Sequence, residues 1–247
     1  EAEAVTLSRL RSLLAHAFTQ VPYYTALARE QGLRADDVRS LEDLQRLPVQ
    51  TKALLQERGA ELRAAAGFRG PVKMNHTGGS TGTPLDFAQC QDYRDFGAAD
   101  KVRLYERCHY QLGQPLVFLW GSDYDSAAHK SWPQRVFDRV GQNLIWVNTF
   151  ALSEELLRGY ARQIARHDPV LIVGYVASLT LYARLLQARD LPRPRPRALQ
   201  TSAEVLTPAD RALLTEVFGC PVFDRYGCRE VGVIAHECAA HHGLHVS

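Results

Sequence analysis

Residues 169–188 read PVLIVGYVASLTLYARLLQA. The run from Pro169 to Tyr175 is apolar and β-branched, with the length of a buried strand. From Ala177 to Ala188 the apolar residues recur at helical spacing. A buried strand feeding a helix is the repeating unit of layered α/β folds, and the same order recurs on both sides. Upstream, PLVFLWG and NLIWVN read as buried strands, and SEELLRGYARQIARH as a helix capped by Ser153 with acids in its first turn. Downstream come the apolar runs ALQTSA and CPVFDRYG, separated by a helical pattern over Pro208–Phe218. Strand and helix alternate, so the sequence predicts an α/β fold, layered, with a largely parallel sheet flanked by helices.

The N-terminal third has a different pattern. Leu7, Leu10, Leu13, Leu14 and Phe18 predict a helix ending near Val21 and Pro22. Ser40 with Asp43 predicts a short second helix, and Thr51 caps a third after Pro48. PLDFAQ predicts a strand, followed by a helix over Tyr93–Arg107. LPRPRPR, before the strand at Ala198, predicts an extended, solvated connector.

Composition narrows the functional classes. The 247 residues are 46% hydrophobic and 23% charged, as in ordinary globular chains. The formal charge of +2 provides no global field for nucleic acid or an anionic membrane surface. No apolar run approaches the roughly 20 residues that span a bilayer. Five cysteines without framework spacing predict reduced thiols and a cytoplasmic location. The opening EAEA reads equally as a residual leader or as the start of a native helix, and carries no functional weight.

Between the two regions lies His76-Thr77-Gly78-Gly79-Ser80-Thr81-Gly82-Thr83-Pro84. Backbone N–H groups in a glycine-rich turn can converge on one anion, because glycine adopts positive φ and lets phosphate oxygens approach. Ser80, Thr81 and Thr83 add hydroxyl donors. Composition alone leaves an ordinary connector open. A P-loop is disfavoured, since no lysine follows Gly82, and no G-x-G-x-x-G lies between strand and helix.

The order of residues is more specific. TGGSTGTP resembles the phosphate-binding signature of adenylate-forming enzymes, the superfamily of acyl-coenzyme A synthetases, luciferases and peptide-synthetase adenylation domains. Tyr226-Gly227-Cys228-Arg229-Glu230 resembles its second signature, Y-G-x-T-E. HAFTQVPYYTAL, SLEDLQRLPVQTK, LWGSDYD, GYVASLTLYARLL, TSAEVLTP and HECAAHHGLHVS resemble the phenylacetate-coenzyme A ligase-like branch and its capsule-biosynthesis relatives. The resemblance covers essentially the whole chain and implies the large N-terminal domain of that superfamily. Residues 1–65 would be a helical segment packed on the core, and residues 66–247 the ATP- and acyl-binding α/β region.

The resemblance implies a reaction and a set of roles. A carboxylic acid attacks the α-phosphorus of ATP, pyrophosphate leaves, and the acyl-adenylate passes to a thiol acceptor, coenzyme A or a carrier protein. Thr77, Gly78, Gly79, Ser80, Thr81, Gly82 and Thr83 would contact the β- and γ-phosphates, and Glu230 would hold Mg²⁺ between phosphate oxygens. Tyr226, followed by Gly227, would pack on adenine, with Asp224 at the base edge and Ala203 and Glu204 lining the other side. Arg229 departs from the usual hydroxyl residue, and its guanidinium retains polarity toward the α-phosphate or the carboxylate. Catalysis would rest on Glu230, Arg229 and Thr81. Trp120, Tyr124 and Tyr175 would wall an acyl pocket suited to an aryl or arylacetic acid, although core packing also explains them.

His236, Cys238, His241, His242 and His245 cluster near the end. Cys238 and His245 resemble part of a structural Zn²⁺ site in some members of the branch, with surface histidines lacking metal the alternative. The branch's mobile C-terminal domain, with its lysine, is expected to be absent from this chain. The alternative function is a catalytically incomplete nucleotide-binding or scaffold subunit that needs a C-terminal-domain partner chain or acts within a homodimer.

Overall fold

The computed structural model describes residues 2–77, 84–120, 131–149 and 154–246. The chain divides into two compact units, Glu1–Asp95 and Phe96–Ser247.

The first unit opens with helix α1 (Ala2–Gln20), whose inward stripe includes Leu7, Leu10, Leu14 and Phe18. Leu13 falls off the stripe and is exposed, because it lies one residue away from the helical repeat that buries Leu14. Pro22 does not end the helical region as expected. It stands at the first position of a second helix, α2 (Pro22–Gln31), where its missing N–H costs no hydrogen bond. Gly32, at φ 63°, terminates α2 by returning its N–H to Arg29. The Ser40–Asp43 pairing forms a 3₁₀ turn (Glu42–Arg46), with Asp43 accepting the N–H groups of Arg39 and Ser40 at 2.8 Å each. Thr51 caps helix α3 (Lys52–Glu57) through Leu54 N–H at 3.2 Å, as expected.

The strand expected after the glycine-rich run is β2 (Asp86–Gln89), and it pairs antiparallel with β1 (Lys73–His76), which the sequence reading did not separate out. Thr77 and Leu85 close the connection: Thr77 N–H donates to the Leu85 carbonyl, and Leu85 N–H to the Thr77 hydroxyl, both at 3.0 Å. Helix α4 (Gln91–Arg107) begins slightly earlier than expected and runs from the first unit into the second.

The second unit is built on a five-stranded parallel sheet: β3 (Leu116–Trp120), β4 (Leu144–Asn148), β5 (Leu171–Tyr175), β6 (Ala198–Ser202) and β7 (Val222–Phe223). Their spatial order is β4-β3-β5-β6-β7. After the short helix α5 (Trp132–Val136), the crossovers are helices α6 (Glu154–His167), α7 (Val176–Ala188) and α8 (Pro208–Phe218). Strand residues alternate between two cores. Val117, Leu119, Ile172 and Leu199 meet Leu179, Tyr182 and Phe218, while Leu116, Leu171, Val173 and Ala198 meet Leu104 and Tyr105. Both faces are covered, which explains why the strands read as continuous apolar runs. Each large side chain so buried stabilises the fold by roughly 1.5–3 kcal/mol.

CPVFDRYG is not a single strand. Val222–Phe223 joins the parallel sheet, and Arg225–Cys228 (β8) starts a separate antiparallel sheet with β9 (Gly232–Glu237) and β10 (Leu244–Val246). The break is at Asp224, whose backbone is held by Glu237 rather than by the parallel ladder. The proline–arginine connector is only half solvated. Pro194 and Pro196 are buried and the intervening arginines exposed, as extended backbone alternates its side chains.

Candidate active site at the carboxyl edge of the sheet

In the order β4-β3-β5-β6-β7, the chain moves from β3 to one side and then returns to the other, so the topological switch lies between β3 and β5. Ligands of open parallel sheets bind outside the carboxyl ends of the strands at such a point. Trp120 is the last residue of β3 and Tyr175 the last of β5, and their rings lie 4.5 Å apart at 50°. Two of the three residues expected in the acyl pocket thus meet at the switch, while Tyr124 lies outside the described residues.

Arg225 completes this corner, and the sequence reading missed it. Its Nε and Nη2 donate to the Ser202 hydroxyl, the last residue of β6, at 3.2 and 3.0 Å, and its Cζ lies 5.8 Å from the centre of the Trp120 ring. Burial pulls the arginine pKa below its ordinary value, against the opposing influence of Tyr105, Tyr175 and Asp100. The available signal was an arginine inside an otherwise strand-like run directly before Tyr226-Gly227.

The Tyr226–Glu230 motif folds as an antiparallel hairpin. Arg229, Glu230 and Val231 form the turn between β8 and β9, which places two of the residues expected to carry catalysis at its tip. The Glu230 side chain hydrogen-bonds the Cys228 thiol; burial first, and this contact after it, push the thiol pKa up. Tyr226 is 59% exposed, so its ring is not a core aromatic and is open to stacking. Gly227 sits where the strands come closest: a Cβ there would meet the Gly232 carbonyl oxygen at 2.4 Å.

Asp224 is fixed from three directions. Its carboxylate accepts the Thr201 hydroxyl at 2.7 Å and Arg225 N–H at 3.0 Å, and its own N–H donates to Glu237 Oε2 at 2.9 Å. Glu237 also accepts Arg211 Nη2 at 2.6 Å and meets His241 Nδ1 at 3.2 Å. Burial alone would raise the Glu237 pKa, but Asp224 N–H, Arg211 and His241 together hold it below the usual carboxylate value.

Ala203 and Glu204 follow β6 directly. Ala203 adopts φ 70°, a left-handed conformation uncommon for a residue with a Cβ. The Glu204 carboxylate accepts Ala177 N–H at 2.7 Å, satisfying one of the open donors at the start of α7. Its carboxylate therefore caps a helix.

The histidine cluster is not uniformly at the surface. His236 is 2% exposed because β9 carries it inward, where its Nε2 accepts Arg107 Nη1 at 2.6 Å and its Nδ1–H donates to the Glu237 carbonyl at 2.8 Å. Cys238 and His245 do meet, with Sγ and Nε2 3.1 Å apart. No group of three or more His, Cys, Asp or Glu side chains suited to a metal ion occurs among the described residues. The glycine-rich run is represented only by Thr77 at its edge; Gly78, Gly79, Ser80, Thr81, Gly82 and Thr83 lie outside the described residues.

No family model matches the chain. Phenylacetate-coenzyme A ligase of Escherichia coli strain K12 is 32% identical over 84 residues, which is 34% of this chain and 19% of that protein. An open conformation of 2-hydroxyisobutyryl-CoA ligase, in complex with 2-HIB-AMP and CoA, superposes with a TM-score of 0.73 at 18% identity, over 98% of this chain and 54% of that one. The same ligase in the postadenylation state with 2-HIB-AMP gives 0.73 at 20% identity, over 98% and 52%. The chain spans about half the length of the solved ligases it matches. It shares the fold of these CoA ligases.

Proposed function

We propose that this chain belongs to an acid–thiol ligase that activates a carboxylic acid, of aryl or arylacetic type, with ATP and passes the acyl group to a thiol such as coenzyme A. The observation that carries the reading is the Tyr226–Glu230 hairpin: it presents Arg229 and Glu230 at its tip and grows from the carboxyl edge of the sheet where Trp120 and Tyr175 meet. A carboxylate oxygen of the acid attacks the α-phosphorus, and the bond to pyrophosphate breaks. Both reactants are anions, so the protein must position them and offset charge as it moves to the leaving group.

In this reading the exposed Tyr226 ring stacks on adenine, and Asp224, held by Thr201 and Glu237, addresses the base edge. The backbone at Ala203 and Glu204 lines the adenine while the Glu204 carboxylate keeps α7 in place. Residues 77–83 take the β- and γ-phosphates, and Arg229 contributes positive charge at the reacting oxygens. Glu230, a single hard oxygen donor on an open turn, fits Mg²⁺ held mainly by phosphates and water. When bound, that ion supplies charge neutralisation at the triphosphate. Trp120 and Tyr175 present aromatic surface to the acid.

Carboxylate-dependent exchange of labelled pyrophosphate into ATP tests the reading, with aryl and arylacetic acids as the panel and coenzyme A as the acceptor in a second assay. Exchange driven by an aryl acid is expected. Nucleotide binding with no exchange for any acid would instead support the incomplete-subunit function.

A further inference from the structure

Arg225 does more than its hydrogen bonds explain. It is a partly buried cation at the switch point, yet its polar partner is the neutral Ser202 hydroxyl, and Trp120 covers it from one side. Buried charges are ordinarily paired, because desolvation costs more than a single neutral hydrogen bond returns. Among the described residues no carboxylate lies within ion-pair distance of it; Asp100, the acid that influences it, is bonded to Arg103 at 2.8 Å. The imidazole opposite Arg225 in the β8–β9 register, His236, accepts from Arg107 and stays neutral, so it supplies no negative charge.

Its position separates it from the reacting centre. Arg225 begins β8 and Glu230 lies in the turn beyond the strand's end. Three strand residues correspond to about 10 Å at roughly 3.3 Å per residue. A guanidinium at the base of the strand, against Trp120 and beside Tyr175, therefore faces a part of the acid remote from the carboxyl that reacts near the tip.

We infer that Arg225 is a specificity-determining binding residue for a second acidic group on the acyl substrate, so that the acid is an aryl dicarboxylic acid with one carboxylate activated and the other held by the Arg225 guanidinium beside the Trp120 and Tyr175 rings. The inference rests on the ligase reading for what happens to the first carboxylate, but the binding of the second is independent of turnover. A planar carboxylate matches the guanidinium fork, and charge-assisted bonds in a partly buried corner are strong enough to decide between substrates.

Isothermal titration with matched pairs tests this directly: benzoate against benzene-1,4-dicarboxylate, and phenylacetate against 4-carboxyphenylacetate. The diacid of at least one pair is expected to bind at least about tenfold tighter than its monoacid, the scale of one charge-assisted contact. Arg225→Gln should abolish that advantage, and Arg225→Lys should retain part of it. Equal or weaker binding of both diacids by the wild-type protein overturns the inference, as does a preference that persists in a folded Arg225→Gln variant. Should the glutamine variant fail to fold for want of the Ser202 contact, the wild-type pairs and the lysine variant decide. A diacid preference without pyrophosphate exchange for any acid would sink the ligase reading and leave the Arg225 site standing. Exchange driven by benzoate with no diacid preference would do the reverse.

Discussion

Glu237 and Asp224 hold each other through reciprocal contacts: Asp224 N–H donates to the Glu237 carboxylate at 2.9 Å, and Glu237 N–H donates to the Asp224 carbonyl at 2.9 Å. This pair turns the chain from the parallel sheet into the hairpin that carries the candidate nucleotide site. Glu237→Gln would remove the charge opposite Arg211 and force an amide N–H₂ toward a donor. The expected loss is about 1–3 kcal/mol of stability, since a buried, partly satisfied polar group remains. Thermal unfolding checks it, and ATP titration should show weaker binding in the same variant. An unchanged melting temperature would mean that the hairpin is oriented by other contacts.

The hairpin also depends on Gly227. A methyl group there would lie 2.4 Å from the Gly232 carbonyl oxygen, a backbone atom that cannot rotate away. Gly227→Ala should therefore cost about 1–3 kcal/mol by forcing the strands apart. The measurement is denaturant unfolding, with Gly97→Ala in α4 as a control for glycine replacement at ordinary φ where no atom lies within 4 Å. Equal effects at both positions would indicate that strand spacing is not the cause.

These contacts show where the sequence was legible and where it was not. The central strands were readable because both faces of each are buried, so apolar continuity from Leu171 to Val173 reports the strand itself. The switch-point meeting of Trp120 and Tyr175 was not readable from periodicity, since it depends on the spatial order of strands far apart in sequence. Arg225 was hidden for a related reason: its partners, Ser202 and Trp120, are 23 and 105 positions away. The burial of His236 was not readable because its partner, Arg107, is 129 positions away in sequence. The second signature was legible as a string of residue types, but its form as a hairpin with Arg229 and Glu230 at the tip was not.

Glu230 gives the sharpest catalytic test. Glu230→Gln keeps the shape of this half-buried turn residue and removes the charge that would hold Mg²⁺. Acid-dependent exchange should fall on the order of 100-fold or more, the scale seen when a single electrostatic contact to a reacting group is lost, while adenine affinity and melting temperature stay close to wild type. Retained exchange in the folded variant removes Glu230 from the mechanism.

The cysteines predict a pH dependence. Burial pushes the thiols of Cys108 and Cys220 up to about 12, each above the ordinary thiol value. A group protonated more tightly when folded contributes stability that is complete below its unfolded pKa and is lost as pH rises toward its folded pKa. Stability should therefore decline from about pH 8.5–9 upward, as the unfolded thiols ionise first. Cys220→Ala should flatten that decline in unfolding measurements between pH 8 and 10. At pH 8 alkylation should mark exposed Cys228 well before Cys108 or Cys220. Protection of Cys228 by Mg-ATP would agree with nucleotide at the hairpin; labelling indifferent to saturating ATP would contradict it.

Thr77 is clasped to Leu85 by two hydrogen bonds of 3.0 Å, which bring together the ends of the connection between β1 and β2. The three glycines and three further hydroxyl residues at positions 78–83 offer successive N–H and O–H donors without bulky side chains, the chemistry that a triphosphate requires. Replacing Gly79 and Gly82 by valine would add branched Cβ groups that restrict the backbone and obstruct close approach of phosphate. Each charge-assisted hydrogen bond lost costs about 1.5–3 kcal/mol, so loss of two should weaken ATP at least about 100-fold. Binding of the free carboxylic acid should hardly change, because the acid meets Trp120 and Tyr175 instead. Amide hydrogen exchange should also slow at residues 77–83 when Mg-ATP is added to the wild-type protein. Normal ATP binding by the double valine variant, or exchange indifferent to saturating Mg-ATP, would leave the run as a connector between two strands and remove the phosphate role from it.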